Sequence, residues 1–128
     1  MSEIKKDLLY TKDHEWVRKG DSVTSVVVGI TDFAQAALGD VTFLQLPPVG
    51  TVFKRHDIVG SVESVKAVSD IFAPLSGTVS KINETLVADP APLNTDPFGT
   101  AWLFELEVTN ENEFKDLLTP DAYATVAQ

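Results

Sequence analysis

The chain has 128 residues, of which 44% are hydrophobic, and its formal net charge is -9. This length fits one domain, and folding at this size buries roughly two thirds of the surface of the unfolded chain. The acidity argues against nucleic acid and anionic membranes as partners, because both are bound through positively charged surfaces. The sequence contains no cysteine, so sulfur redox chemistry must come from a group that is attached or bound.

The first residues, 1–7, resemble no targeting segment. They lack the apolar stretch of a secretory signal and the Arg- and Ser-rich composition of a transit peptide. No apolar run is long enough to cross a membrane, so a cytoplasmic location is the expectation. No Pro/Gly/Ser-rich linker divides the chain, and we expect a single domain over 1–128, with a β core at about 15–108 and a C-terminal helical segment at about 110–127.

Short apolar runs separated by glycine and proline predict a mainly β chain. Runs this short and this regularly spaced favour a sandwich or barrel over βαβ units. The predicted strands, in chain order, are residues 15–19, 23–30, 41–45, 51–53, 58–64, 67–72, 77–82 and 102–108.

A short helix is predicted between the second and third of these strands. Thr31 is a suitable N-cap, Leu38 is the last predicted helical residue, and Gly39 is placed to end the helix. Much later, residues 89–99 contain three prolines, which cannot join a central strand. We predict a long loop there.

Two further helices are predicted near the C-terminus. Asn110 and Glu113 have the spacing of a capping box, and the helix that they begin would bury one apolar side. Thr119 and Pro120 then predict the start of a last helix over 121–126. The apolar residues that the first of these helices would bury are Phe114, Leu117 and Leu118.

The segment 59–72 contains two alternating runs that meet at Val65 and Lys66. The pattern predicts a β-hairpin with these two residues as its turn, in which Ser64 pairs with Ala67. The turn contains no glycine, asparagine or aspartate, the residues that favour two-residue hairpin turns. A requirement other than local turn preference must therefore have selected Val65 and Lys66.

The same register pairs Glu63 with Val68, and it places Glu63 and Asp70 on one face of the hairpin. Lys66 lies at the tip and is the only basic residue within 57–79. A modifying enzyme could reach such a lysine, and acylation would remove its charge and lengthen its flexible stem into an arm. The spacing alone also allows an ordinary surface lysine at the end of an ordinary hairpin.

Residues 63–70, Glu-Ser-Val-Lys-Ala-Val-Ser-Asp, resemble the lipoylation motif of glycine cleavage H proteins. Further segments resemble the same family in the same order, and the similarity extends from about Leu9 to Tyr123. These segments are 10–17, 29–35 with 38–40, 46–47, 73–74 with 76–77, and 94–99 followed by Trp102.

The resemblance implies a barrel-sandwich hybrid of two small antiparallel sheets with peripheral helices. It also implies a carrier rather than an enzyme. A lipoate-attaching enzyme would place lipoic acid on Lys66, and the lipoyl group would accept an aminomethyl group from a PLP-dependent glycine decarboxylase, the P protein. The group would pass to a tetrahydrofolate-dependent aminomethyltransferase, the T protein, and a flavin-containing dihydrolipoamide dehydrogenase, the L protein, would reoxidise the dithiol. The carrier's physical contribution is effective concentration, because a tethered intermediate cannot diffuse away.

The resemblance further implies that the loaded arm folds back into a cleft of the carrier. Glu15 and Asp70 occupy positions where a carboxylate could hold the aminomethyl nitrogen, although both could equally be solvated surface charges. Many family members carry histidine where this chain has Phe33. A polar role for that side chain is therefore absent here.

Several alternatives remain at this stage. His14 and His56 lack metal-ligand spacing, and a hydrolase built on His14 and Glu15 is disfavoured because adjacent strand residues point to opposite faces. A biotin carrier would resemble Met-Lys-Met at the tip, and a lipoyl domain of a 2-oxoacid dehydrogenase acyltransferase would resemble Asp-Lys-Ala beside a flexible linker. Here Val65 and Ala67 flank the lysine. An H-like protein that relays lipoate to other proteins would share every motif above.

Overall fold

A computed structural model describes residues 2–127, and within them nine strands form two antiparallel sheets. The strands are β1 Leu9–Tyr10, β2 Glu15–Lys19, β3 Ser25–Ile30, β4 Val41–Gln45, β5 Val52–Phe53, β6 Ile58–Ser64, β7 Val68–Phe72, β8 Gly77–Ile82 and β9 Phe104–Val108. The larger sheet has the order β1-β2-β3-β9-β8-β5, and the smaller has the order β4-β6-β7. The predicted fold class, a mainly β barrel-sandwich hybrid, is confirmed.

The two sheets enclose one apolar core. Val28 and Leu106 from the larger sheet and Leu44 and Val62 from the smaller one belong to the same cluster, and each is at most 1% exposed. Burying each such side chain contributes roughly 1.5–3 kcal/mol of transfer free energy. The strand alternation that buries Val62 also turns its neighbour Glu63 outward, so the core fixes which face of β6 meets solvent.

A second cluster lies outside this core and contains the buried Tyr10, Trp16 and Tyr123. The rings of Tyr10 and Tyr123 stack with centroids 4.5 Å apart. Tyr123 belongs to the last helix, so this stack holds the C-terminal segment against the first two strands. The backbones of Tyr10 and Leu118 also exchange hydrogen bonds of 2.9 and 2.7 Å.

Five helical segments surround the sheets within the described residues. The first begins as predicted, because the Thr31 hydroxyl accepts a hydrogen bond from the amide of Ala34, and it ends at Gly39, which has a φ of 77°. The segments are α1 Asp32–Leu38, α2 Glu84–Ala88, α3 Pro92–Thr95, a 3₁₀ helix over Glu111–Asp116, and α4 Pro120–Val126.

The prediction of an unbroken loop over 89–99 was wrong, because α3 lies inside it. Pro92 begins that helix at a position where its missing N–H costs nothing. Helix α2, capped by the side chain of Asn83, was not predicted at all. Four predicted strands start later than expected, at Ser25, Val52, Val68 and Phe104.

The predicted capping box at 110–113 is also wrong. The Asn110 side chain accepts from the amide of Asn112, and a 3₁₀ helix follows instead of an α-helix. The Glu113 carboxylate does not return to Asn110; it accepts from both the amide and the hydroxyl of Ser76, at 2.7 and 2.9 Å. The hydrogen bonds with the distant Ser76 therefore replace the predicted local contact of Glu113 with Asn110. Of the three apolar residues assigned to this helix, Phe114, Leu117 and Leu118, all are half-buried and two lie beyond its end.

No helix of residues 2–127 is both long and apolar enough to cross a membrane. The cytoplasmic location and the division of the chain near residue 110 stay predictions.

Candidate functional site

Strands β6 and β7 form the hairpin that the sequence predicted. Glu63 pairs with Val68, and the amide of Ser64 donates to the carbonyl of Ala67 over 2.8 Å. Lys66 therefore lies in the turn at the tip of the hairpin, and it is exposed.

The turn forms without glycine because the side chain of Ser64 supports it. The Ser64 hydroxyl accepts hydrogen bonds from the amides of Lys66 and Ala67, at 3.3 and 3.1 Å. Among the non-glycine residues of 2–127, only His14 and His56 have a positive φ. Val65 and Lys66 thus avoid the left-handed conformations that make glycine or asparagine necessary in other two-residue hairpins.

The connection between α1 and β4 also contacts the turn and stabilises it. The amide of Val65 donates to the carbonyl of Asp40 over 3.1 Å. The stem of Lys66 lies over Gly39, where an added Cβ would be 3.5 Å from Cε and 4.0 Å from Nζ. No ion pair with the Lys66 amine is found among residues 2–127. The amine is therefore both accessible and free of a counter-charge.

Glu15 contrasts with Lys66 because it is buried, with 2% of its surface exposed. Its carboxylate accepts from the Thr11 hydroxyl at 2.6 Å and from the amide of Phe72, at the end of β7, at 3.3 Å. Burial raises the pKa of Glu15 to about 7, although these two hydrogen bonds act in the opposite direction. A carboxyl group of this kind changes charge near neutral pH.

Asp70, the other predicted docking residue, lies elsewhere on the hairpin. It is exposed and pairs with Ser61 of β6, so it shares the outward face of Glu63 as predicted. Glu15 contacts β7 two residues further on, at the backbone of Phe72. Asp70 therefore lies on β7, whereas Glu15 reaches the end of β7 from β2, and no hydrogen bond of the described residues joins the two carboxylates.

His14 does not form a catalytic pair with Glu15. Its Nδ1 is 2.7 Å from the hydroxyl of Tyr123, and its ring stacks on Phe33 with centroids 4.4 Å apart. Burial lowers the pKa of His14. Phe33 therefore serves as an aromatic partner for His14, which explains how an apolar side chain fits a position where many family members carry histidine.

The outward face of the smaller sheet carries an apolar row beside the tip. Phe43 and Val68 flank Glu63 on the neighbouring strands, and they are 50% and 66% exposed. Val65, in the turn itself, is 71% exposed. Monomeric proteins place few large apolar side chains together on the surface, and such patches mark interaction sites. Sequence reasoning missed this row because it depends on the pairing of β4 with β6.

The largest cavity described lies away from Lys66 and has a volume of about 330 Å³. One of its lining cations is already paired, since the Arg55 guanidinium is 2.5 Å from Asp116 and 4.0 Å from Glu113. Neither Lys66 nor Glu15 lines it. The lining residues are Thr11, Lys12, Asp13, Arg55, His56, Pro74, Asp116, Leu117 and Leu118.

The sequence profile of a family described as "Glycine cleavage H-protein" matches residues 8–128. The chain belongs to this family. The match includes the Lys66 turn, Glu15 and the last helix, so it covers both ends of the hairpin. The predicted family is confirmed, and with it the predicted role as a carrier protein of the glycine cleavage system.

Individual H proteins are similar to this chain over nearly its whole length. The glycine cleavage system H protein of Listeria monocytogenes serotype 4a (strain HCC23) is 49% identical over 123 residues, which are 96% of this chain and 97% of that protein. A "Probable glycine cleavage system H protein" of Haloarcula marismortui is 50% identical and covers 94% of each chain.

A solved H-protein structure has the same fold. The crystal structure of a glycine cleavage system H protein from Mycobacterium marinum superimposes with a TM-score of 0.84 and 43% sequence identity, covering 95% of this chain and 97% of that one. Membership in the H-protein family also favours this role over the biotin carrier and the acyltransferase lipoyl domain.

Proposed function

We propose that the chain is a lipoyl carrier whose attachment point is Nζ of Lys66. In this role it shuttles an aminomethyl group from glycine decarboxylase to aminomethyltransferase. Dihydrolipoamide dehydrogenase then reoxidises the dithiol of its lipoyl group. The observation that carries the proposal is an exposed lysine, without an ion pair in the described part of the chain, on a turn that Ser64 and Asp40 fix in place. When attached, a lipoyl group supplies the disulfide and dithiol chemistry that a chain without cysteine lacks.

The residues around Lys66 fit such an attachment. The amine is exposed, and the stem packs over Gly39, whose missing side chain leaves space beside Cε and Nζ. The hairpin hydrogen bonds of the turn use the backbone and the Ser64 hydroxyl, so acylation of Nζ breaks none of them. A modifying enzyme can therefore act without unfolding the hairpin.

Glu15 is proposed to hold the cationic amine of the loaded arm. A buried carboxyl group with no cation beside it is destabilised in its charged form, and an incoming ammonium group removes that penalty. The raised pKa of Glu15, about 7, means that the group can take up or release a proton as the cation leaves or arrives. Asp70 is proposed as a second contact, and it would act from the outward face of β7.

The partner enzymes are proposed to recognise the outward face of the smaller sheet. Its exposed carboxylates, Glu63 and Asp70, lie beside Phe43 and Val68, and the chain carries a net charge of -9. A partner surface with basic residues around an apolar depression complements this pattern. The lipoate-attaching enzyme must approach most closely, because it acts on Nζ of Lys66 itself.

Intact-mass measurement tests the attachment. We expect protein from lipoate-replete cells to carry one lipoyl addition, and we expect Lys66→Arg to carry none, because arginine keeps the charge but is not acylated in this way. Lys54→Arg is the matched control, since Lys54 is an exposed lysine beyond the opposite end of β6, and this variant should keep the addition. A lipoyl addition that persists in Lys66→Arg overturns the proposal.

Reconstituted glycine cleavage tests the shuttle. The lipoylated protein should support glycine-dependent release of carbon dioxide and ammonia with the three enzymes, and Lys66→Arg should not. A protein that is lipoylated on Lys66 but inactive in this assay would be a lipoate relay instead.

A further inference from the structure

Asn94, in α3, uses its whole amide group on the connection between α1 and β4. Its Oδ1 accepts from the amide of Val41 at 2.9 Å. Its Nδ2 donates to the carbonyl of Gly39 at 2.8 Å and to the side-chain oxygen of Gln35 at 3.1 Å. One side chain therefore fixes three points of a segment that lies more than fifty residues earlier in the sequence.

The segment that Asn94 fixes is the support of the Lys66 turn. Asp40 lies between Gly39 and Val41, the two residues whose backbones Asn94 contacts. The Asp40 carbonyl accepts a hydrogen bond from the amide of Val65. Gly39 is also the residue over which the stem of Lys66 lies. The contacts therefore run without interruption from α3 to the turn.

We infer that Asn94 is a positioning residue for Lys66. The turn lacks the residues that make a two-residue hairpin rigid by themselves. Its position therefore depends on the Ser64 hydroxyl and on the Asp40 carbonyl, and so on the contacts that hold Asp40. Asn94 holds it through the residues on both sides. Without Asn94, Lys66 stays exposed but samples more orientations. An enzyme that acts on the amine must then order it, and the lost conformational entropy reduces the binding free energy.

Asn83 provides a matched control. Its side chain also joins distant backbone groups, since Nδ2 donates to the carbonyls of Thr100 and Trp102 at 2.9 and 2.8 Å and Oδ1 accepts from the amide of Leu86 at 3.4 Å. Asn83 is buried, and none of these contacts reaches the α1–β4 connection or the turn. Asn83→Ala therefore measures the general cost of losing an asparagine side chain that joins distant backbone groups.

The inference rests on the proposed attachment at Lys66, and the first experiment compares the lipoylation of folded Asn94→Ala and Asn83→Ala. We expect Asn94→Ala to lower kcat/KM for the lipoate-attaching enzyme roughly tenfold, because misplaced reacting groups lose orientation, and to speed amide exchange at Val65. Asn83→Ala should change neither. If Asn94→Ala does not fold, Asn94→Asp replaces it, since a carboxylate keeps the acceptor for Val41 and loses both donors.

A double-mutant cycle tests the route through Asp40. Val65→Pro removes the amide that donates to Asp40, and proline suits the first central position of a turn whose residues have negative φ. If Asn94 acts through this hydrogen bond, Asn94→Ala should lower kcat/KM much less in the Val65→Pro background than in the wild type. Fully additive losses overturn the inference.

The outcomes separate this inference from the proposed function. A wild-type protein that takes no lipoyl group refutes the attachment at Lys66. A wild-type protein that is lipoylated normally, with Asn94→Ala and Asn83→Ala equally impaired or equally unaffected, leaves the attachment intact and refutes the positioning role of Asn94.

Discussion

An ionisable group lies at each end of the β6–β7 hairpin, Lys66 in its turn and Glu15 of β2 against its other end. Neither has a counter-charge among residues 2–127, but their surroundings are opposite. At the tip, Lys66 is exposed to water and no ion pair with it is found among residues 2–127. At the other end, Glu15 reaches the amide of Phe72 and is 2% exposed. Water solvates the ammonium group at little cost, whereas the buried carboxylate loses most of its hydration.

The difference shows how one hairpin can serve two purposes. Modification of the solvated lysine requires no partner among residues 2–127 to be given up. The buried carboxyl group carries a desolvation penalty in its charged form, and the docking role proposed for it depends on that penalty. By contrast, the Arg55 guanidinium near the same end is already paired with Asp116 and Glu113, and it has no such role.

The largest expected effect comes from removing the buried charge. Between pH 4.5, the ordinary pKa of a glutamate side chain, and about 7, its pKa here, the folded protein binds more protons at Glu15 than the unfolded chain does. Stability should therefore fall as the pH rises through this range and stay lower above it. Glu15→Gln should raise the free energy of unfolding at pH 8 by up to about 3 kcal/mol, and by little at pH 4.

Urea unfolding of both proteins at pH 4 and pH 8 measures this difference. Asp70→Asn is the control, because Asp70 is an exposed acid on β7, the strand that Glu15 contacts. Parallel pH profiles for the wild type and Glu15→Gln would show that Glu15 bears no desolvation penalty, and the contrast between the two ends of the hairpin would then be lost.

A smaller effect is expected at the tip. Ser64→Ala removes the hydroxyl that accepts from the amides of Lys66 and Ala67. Because water can reach both amides, the loss should cost only about 1 kcal/mol of unfolding free energy, and exchange of the Ala67 amide should become faster. Ser69→Ala, on β7, is the control. A loss of unfolding free energy as large as that caused by truncating a buried core side chain would mean that the tip is not solvated as described.

The smallest expected effect concerns recognition and not stability. Phe43→Ser should raise KM for the partner enzymes about fivefold, since it shortens the apolar row beside Lys66. The free energy of unfolding should hardly change, because Phe43 is 50% exposed. Val52→Ser, which alters an exposed apolar residue of the larger sheet, should leave KM unchanged. Equal effects of the two substitutions would exclude a specific role for the row.

The sequence predicted the hairpin well because its signals are local. The two alternating runs, 58–64 and 67–72, placed Glu63 opposite Val68 as the structure does. A register shift between Ile58 and Gly60 was not readable from the alternation, and it buries Val59 on the same side as Val62. Helix α1 was equally readable from Thr31 and Gly39, which are its own caps. Helix α3 was missed although Pro92 at its first position was a usable signal, because three prolines within eleven residues favoured a loop.

The surroundings of the site were harder to predict because they depend on distant partners. Nothing near Glu113 in the sequence indicates that its carboxylate binds Ser76. The contact of Asn94 with Gly39 and Val41 joins segments that only the fold brings together. Glu15 accepts a hydrogen bond from Phe72 of the other sheet, and the burial that raises its pKa exists only in the folded chain. The residue types were enough to identify the candidate site residues. Their burial and their hydrogen-bond partners became known only from the packing of the fold.

The hydrogen bond from the amide of Phe72 to Glu15 has a further consequence for self-association. Strand β7 is an edge of the smaller sheet, and the outward-facing amides of an edge strand are a template on which another chain can add a strand. The Glu15 carboxylate occupies one of these amides at 3.3 Å. An apolar residue in place of Glu15 would leave that amide free. Such a substitution would remove the buried charge, but it would also allow a strand of another chain to pair with the β7 edge.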